Sequence, residues 1–349
     1  MTARIGIVGI GWWATVNHIP TIADCPQADV VAICDLDADR MQRAGAEFGI
    51  TAQYQDIAAM LERENLDGVM VSTPHTAHTG PAVAALNAGA HVLVEKPMAT
   101  SEADGRAIAA AANAAGKEVL VPTGSNFTAY TAQAAAWVRD GRIGDVRHAV
   151  CQMGSALEDL FAGKPMLETD GHMFRPPAST WADPAKAGGY GWGQMSHSLA
   201  WLIHVADLQF DSVFCMDGKS STGVDYYDAA CARATNGATI SLSGSSTTPK
   251  HKGMHMDIRV YGTEGMILFD NDRARLSLHR MDGTDDVFDI SAQEAEYDGT
   301  LPVRVFAQLC AGEDVVNASD AECGARVTEA LDAMYRSAAS GALAKIGGE

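Results

Sequence analysis

A chain of 349 residues is too long for one ordinary domain, and 47% apolar with 20% charged residues suits a globular protein with a sizeable core. Its net charge of −19 would be repelled by nucleic-acid phosphates and by anionic membrane surfaces, so neither is an expected partner. The acidic excess is spread along the chain without a polyacidic tail and reads as solubilising surface charge.

From residue 3 to about 121, short apolar runs alternate with alanine-rich amphipathic segments. The pattern predicts strands at 3–8, 29–34, 51–54, 68–72, 91–94 and 118–121, with helices at 37–48, 55–64, 76–88 and 101–115. Strands separated by helices are βαβ units, and six of them match a dinucleotide-binding parallel sheet. The chain enters its first strand almost at once with no signal peptide, and no apolar stretch is long enough to span a bilayer. Seven cysteines without a C-x-x-C pair suit reduced thiols, Cys34 and Cys231 being expected in the core, and the cytoplasm is the expected location.

The first strand runs into Gly9-Ile10-Gly11-Trp12-Trp13-Ala14, a G-x-G-x-x-A. Gly9 permits the tight turn, Gly11 lets the backbone approach a pyrophosphate, and Ala14 keeps helix and strand close. The helix that follows offers free N–H groups to phosphate. Asp35, at the end of the second strand, can bond both hydroxyls of an adenosine ribose and would repel a 2′-phosphate. NAD is therefore expected over NADP, with Arg40 and Arg43 expected as solvated helix-face residues. The fourth strand ends in Ser72-Thr73-Pro74-His75, with His78 one turn further on. The two hydroxyls can face a dinucleotide or simply cap the helix, and His78 can equally be a packing residue.

The fifth run, His91-Val92-Leu93-Val94, ends in Glu95-Lys96-Pro97. Open α/β sheets place their chemistry at such strand ends, and the proline stops the strand. The segments Val71–His78 and Ala85–Ala99 together resemble the glucose–fructose oxidoreductase and inositol dehydrogenase family (Gfo/Idh/MocA). The resemblance continues through Gly141-Arg142-Ile143-Gly144-Asp145 to Gly188-Gly189-Tyr190-Gly191-Trp192-Gly193-Gln194-Met195-Ser196-His197.

That resemblance implies an α/β protein with an amino-terminal Rossmann domain, residues 1–122. Residues 123–349 would form a substrate-binding and oligomerisation domain with a large, mostly antiparallel open sheet. Strands for it are expected at 145–153, 209–217, 224–233, 237–246, 255–262, 265–270 and 273–279. The family commonly oligomerises through the exposed face of this sheet, so a homodimer or homotetramer is expected.

The implied chemistry is hydride transfer from a polyhydroxylated small molecule to NAD. By resemblance Lys96 is the acid/base residue, and desolvation beside an oxidised nicotinamide would lower its pKa. Glu95 is expected to orient the strand end or touch cofactor. His197 matches the histidine of the family pattern D-x-G-x-H, in a role shared with Lys96. Here the chain departs from the pattern: Gly193 stands at the aspartate position and Met195 at the glycine position, leaving Gln194 as the nearby polar group toward substrate. A second departure is the absence of arginine from Gly124–Tyr130, where Asn126 is a candidate for the nicotinamide carboxamide or substrate and Tyr130 for lining the pocket. In the polar and aromatic stretch 157–187, Trp181 is a candidate stacking surface for a sugar ring. No close histidine pair supports a metal site.

The leading reading is an NAD-dependent sugar or cyclitol dehydrogenase. A second class retains NAD and uses transient oxidation to hydrolyse or eliminate a glycoside, which needs a further acid/base group such as Tyr130 or His172. A third, a non-catalytic NAD-binding regulator, leaves Lys96 and His197 without a task.

Overall fold

The structure, a computed structural model, describes residues 2–347. β1 (Ala3–Val8), β2 (Ala28–Cys34), β3 (Ala52–Tyr54), β4 (Gly68–Val71), β5 (His91–Val94) and β6 (Val119–Leu120) form a parallel sheet in the order β3-β2-β1-β4-β5-β6. β4 and most of β1 and β5 are buried, as a sheet covered on both faces requires. Between β1 and β4 the order of connection reverses, and the crevice at that point is where open α/β sheets bind their ligands.

The intervening helices are α1 (Ile19–Ala23), α2 (Ala38–Phe48), α3 (Ile57–Arg63), α4 (Thr79–Asn87) and α5 (Glu102–Ala115). Their starts are set by local chemistry: the side chains of Asp37, Asp56 and Ser101 accept the free N–H groups of α2, α3 and α5. A π-helical turn, Ala14–His18, lies between the glycine fingerprint and α1.

The second half holds α6 (Ala129–Arg139), β7 (Val146–Gly154), α7 (Glu158–Phe161), α8 (Ala178–Trp181) and α9 (Ser196–Ala206). β8 (Phe210–Lys219), β9 (Asp225–Ala234), β10 (Thr239–Ser245), β11 (His255–Gly262), β12 (Gly265–Asp270), β13 (Arg275–Arg280) and β14 (Asp285–Asp289) follow. α10 (Ala292–Ala295), α11 (Leu301–Cys310), α12 (Ala321–Ser340) and β15 (Ala344–Lys345) close the described chain. Nine strands lie in the order β14-β13-β12-β11-β7-β10-β9-β8-β15, antiparallel except for the parallel pair β7–β10. The seven strands expected here all form. β14, a short acidic alternation, and the two-residue β15 carried too weak a pattern to be expected.

α9 and α12 cover the inner face of this sheet, burying Trp201, Leu199 and Leu331. The outer face shows Phe214, Met216 and Tyr227 to solvent. Cys231, expected in the core, is exposed on that outer face. Strand alternation decides this: its neighbours Ala230 and Ala232 point inward, so Cys231 points out. Late segments also return to the first sheet: Val303, Phe306 and Ala307 of α11 and Ala325 of α12 join its clusters. Among the described residues no helix is long and apolar enough to cross a membrane.

Candidate active site

The fingerprint turn is built as a cradle. Gly9 has φ of 89°, and a Cβ there would lie 2.6 Å from the Ser72 carbonyl carbon, so only glycine lets β1 and β4 converge. Nothing lies within 4 Å of a Cβ built on Gly11, and the buried Ser72 hydroxyl has no partner. Open space over Gly11 and an unspent hydroxyl beside Gly9 fit a dinucleotide phosphate. The Thr73 hydroxyl donates to the Ala77 carbonyl and caps the turn into α4 instead.

Asp35 is fixed in place by backbone N–H groups. Its Oδ2 accepts the Ile10 N–H at 2.7 Å and its Oδ1 the Asp37 N–H at 2.9 Å. Arg40 is not simply solvated: it pairs with Asp35 at 3.3 Å and lies over the Phe174 ring. Arg43 also departs from expectation, donating to the Met173 carbonyl at 3.0 Å with Phe174 under its guanidinium. Trp12 Nε1 donates to His172 Nδ1 at 2.9 Å. Residues 172–174, from the segment between α7 and α8, thus reach across to Trp12 of the fingerprint and to Arg40 and Arg43 of α2, a bridge that no local pattern announces. Trp13 packs against Gly299.

At the end of β5, Glu95 is held from two sides. Its Oε1 lies 3.1 Å from His18 Nε2, and its Oε2 accepts the Lys96 N–H at 3.1 Å. Burial alone would raise its carboxyl pKa, but the hydrogen bond and charge of His18, helped by Lys96, leave it below the usual value. His78 fixes the same corner: one ring nitrogen faces the Pro97 carbonyl at 2.9 Å and the other the Thr73 carbonyl at 2.8 Å. Burial lowers its pKa, and a neutral ring donates to one of these carbonyls at a time. His75 turns inward, its Nδ1 on the Ala187 carbonyl and its pKa pushed down to about 3 by burial and by His78. Pro74 is exposed at the start of this turn.

Lys96 Nζ donates to the Gly193 carbonyl at 2.6 Å and lies 5.4 Å from the centre of the Trp181 ring. Desolvation brings its pKa down to about 8, against an opposing pull from Glu95. His197, 4% exposed, leaves Nδ1 without a partner. Burial and the neighbouring Lys96 charge keep its pKa well below the ordinary histidine value, so the ring is neutral. The two expected proton-handling groups are therefore brought together, although 100 residues separate them in sequence. Gln194 is buried in the π-helical turn Gly191–Met195 that leads into α9. π-helical turns thus flank both glycine-rich approaches, a feature common at functional sites.

One candidate sits elsewhere, and Asn126 spends its donors on backbone while its Oδ1 stays buried without a partner. Tyr130 does not line this site: it is buried in the second core, stacked on Phe269 at 5.1 Å. Its place on α6 points it at the sheet rather than at Lys96. The Asn126 amide donates to the Ala200 and Ala318 carbonyls at 3.2 and 3.0 Å, which ties α9 to the segment before α12. Two further residues enter unannounced. His18 lay in an apolar helical run with no partner visible in sequence. Tyr297 meets the His197 ring edge-on at 5.2 Å, and burial with the Glu95 charge raises its hydroxyl pKa. It comes from an irregular segment whose approach only the fold decides. Among the described residues no group of three or more histidine, cysteine or acidic side chains could hold a metal.

Comparison with known proteins agrees with this geometry. Residues 3–123 match the model of the oxidoreductase family with NAD-binding Rossmann fold, and residues 131–268 match the GFO/IDH/MocA C-terminal domain. The chain is 35% identical over 161 residues to D-apiose dehydrogenase of Paraburkholderia graminis, covering 46% of this chain and 42% of that protein. It is 35% identical over 122 residues to inositol 2-dehydrogenase of Salmonella typhimurium, covering 34% and 36%. The chain thus matches less than half the length of either relative. Levoglucosan dehydrogenase, solved with NADH and levoglucosan, superimposes over 100% of both chains with a TM-score of 0.78 at 18% identity. An oxidoreductase domain protein from Kribbella flavida does so over 100% of both with a TM-score of 0.78 at 22% identity. The two family models, one over residues 3–123 that hold the glycine turn, Asp35 and the strand-end Lys96 and the other over residues 131–268, place this chain in the Gfo/Idh/MocA family of NAD-binding oxidoreductases.

Proposed function

We propose that the protein oxidises a secondary alcohol of a sugar, sugar derivative or cyclitol with NAD, Lys96 taking the hydroxyl proton and His197 sharing in its handling. The observation that carries this reading is Lys96 itself, part-buried at the junction of the two glycine-rich segments with its pKa brought down to about 8. A lysine in that range exchanges a proton near neutral pH, as a general base must. Bound NAD supplies the hydride acceptor. The open backbone at Gly11 and the unpartnered Ser72 hydroxyl serve its phosphates, and Asp35 offers its ribose a carboxylate. The half-buried Trp181 ring beside Lys96 offers a face to an alicyclic substrate.

Relatives named for D-apiose and inositol support the substrate class. A panel of monosaccharides, inositols and acidic sugars, assayed for NAD reduction at 340 nm (a wavelength set by NADH), tests it; no reduction with any member would remove the reading. The NAD-retaining glycosidase alternative needs a further acid/base group; of the two named for it, Tyr130 lies in the core and His172 accepts a bond from Trp12, and sugar turnover without net NADH release would favour it. Assembly as a homodimer or homotetramer across the outer sheet face is part of the same proposal, tested by light scattering of the eluted protein.

A further inference from the structure

The segment that presents Gly193 to Lys96 is held from behind by groups that touch neither Lys96 nor His197. The Gly191 N–H donates to Asp225 Oδ2 at 2.7 Å, and the Tyr335 hydroxyl donates to Asp225 Oδ1 at 2.7 Å. The Trp192 N–H donates in turn to the Tyr335 oxygen at 3.1 Å. The Tyr335 ring lies on Trp192 at 4.9 Å and within 3° of parallel. Glycines make room for this. A Cβ at Gly189, where φ is 114°, would overlap the Asp225 carboxylate, and one at Gly191 would lie 2.7 Å from the Tyr335 hydroxyl oxygen.

Asp225 is 1% exposed on β9, and a carboxylate so buried is costly unless its oxygens are satisfied. Both are satisfied by bonds that run to the turn or to the phenol bonded to it. Asp228 lies beside it on the same strand, also buried. Burial and the Asp225 charge hold the Asp228 carboxyl well above the usual carboxylate range. The chain of contacts then reads Asp225 with Tyr335, Gly191 with Trp192, and finally the Gly193 carbonyl on Lys96 Nζ.

We propose that Asp225 and Tyr335 are positioning residues of the active site, fixing the turn Gly191–Met195 so that the Gly193 carbonyl meets Lys96 and α9 delivers His197 to the same point. The proposal rests on the role given above to Lys96. Sequence gives no hint of it, because a β9 acid and an α12 tyrosine acquire a common target only when sheet, helix and glycine turn are stacked.

The test compares Asp225→Asn, Tyr335→Phe and Lys96→Ala in the full chain. It reads kcat with the panel substrate of highest rate, NAD affinity by tryptophan fluorescence, and Tm. Asp225→Asn and Tyr335→Phe should lower kcat between about tenfold and a hundredfold, the range expected of a displaced catalytic group, with NAD affinity kept. If Asp225→Asn does not fold, Tyr335→Phe decides, since it removes one oxygen and keeps the ring stack. A folded Asp225→Asn or Tyr335→Phe with unaltered kcat, while Lys96→Ala is inactive, overturns this proposal alone. Equal losses of kcat and NAD affinity also overturn it, showing a general structural role. Unaltered turnover in Lys96→Ala overturns the underlying function instead.

Discussion

Trp181 fills the space into which a side chain at position 193 would project. A Cβ on Gly193 would lie 2.7 Å from Trp181 Cζ3, and the same ring lies 5.4 Å from Lys96 Nζ. The glycine at this point is therefore matched to the tryptophan, and the lysine meets a backbone carbonyl and an aromatic face. Gly193→Ala should destabilise the protein by about 1–3 kcal/mol through overpacking. In a Trp181→Ala background the same change should cost much less. Thermal unfolding of the four proteins of this cycle measures the coupling, and additive effects would show that the two positions do not share space.

Lys96 acts as a base only when it has lost its proton. With its pKa brought down to about 8, kcat/KM should rise with pH and level off above that value. His197, kept neutral by burial, should add no step of its own in the range of a free histidine. Lys96→Ala should lower kcat by at least about 10²-fold and leave NAD affinity nearly unchanged. A flat pH profile in the parent enzyme would contradict the assignment.

Asp35 should decide the cofactor. Its carboxylate is fixed by the Ile10 and Asp37 N–H groups, so it cannot swing away from a 2′-phosphate. The parent enzyme should favour NAD over NADP in kcat/KM. Asp35→Ala leaves Arg40 without its partner and should erode that preference by roughly tenfold or more, as expected when a like-charge clash is removed.

The bridge formed by residues 172–174 lies across the fingerprint. His172→Ala removes the acceptor of Trp12, and Phe174→Ala removes the surface under Arg40 and Arg43. Each should speed NAD release in stopped-flow fluorescence while leaving the Lys96-dependent pH profile in place. An unchanged release rate in the double variant would confine the bridge to stability.

Thiol reactivity should single out Cys231. It is exposed, whereas burial raises the Cys34 thiol to about 11 and the Cys151 thiol to about 12. A disulfide reagent should modify Cys231 first where the outer sheet face is free, with Cys231→Ser abolishing that fast phase, whereas a slow Cys231 in the assembled protein would show that the proposed oligomer covers it.

Much of the architecture was legible because its signals are local. β1, the Gly9–Ala14 turn, Asp35 and the β5–Lys96 corner are written in adjacent residues whose spacing carries the chemistry. The strands of the second sheet were equally legible from alternation, within a residue or two. Tyr130 and Cys231 were misread for one reason: an aromatic or a thiol in an apolar stretch does not say which side of its element faces inward. His18 and Tyr297 were missed because their partners, Glu95 and His197, lie far away in the chain.

The sequence alone determined the family, the parallel dinucleotide sheet, the acid at the end of the second strand and the lysine at the end of the fifth. Each depends on backbone conformation or on neighbours within a few residues. Tertiary structure alone decided what stands around that lysine: the Gly193 carbonyl on its nitrogen, Trp181 beside it, Glu95 anchored by His18, and Asp225 with Tyr335 behind the glycine turn. Desolvation sets the pKa of Lys96 against the pull of Glu95, and desolvation with the Lys96 charge keeps His197 neutral; both causes act through space.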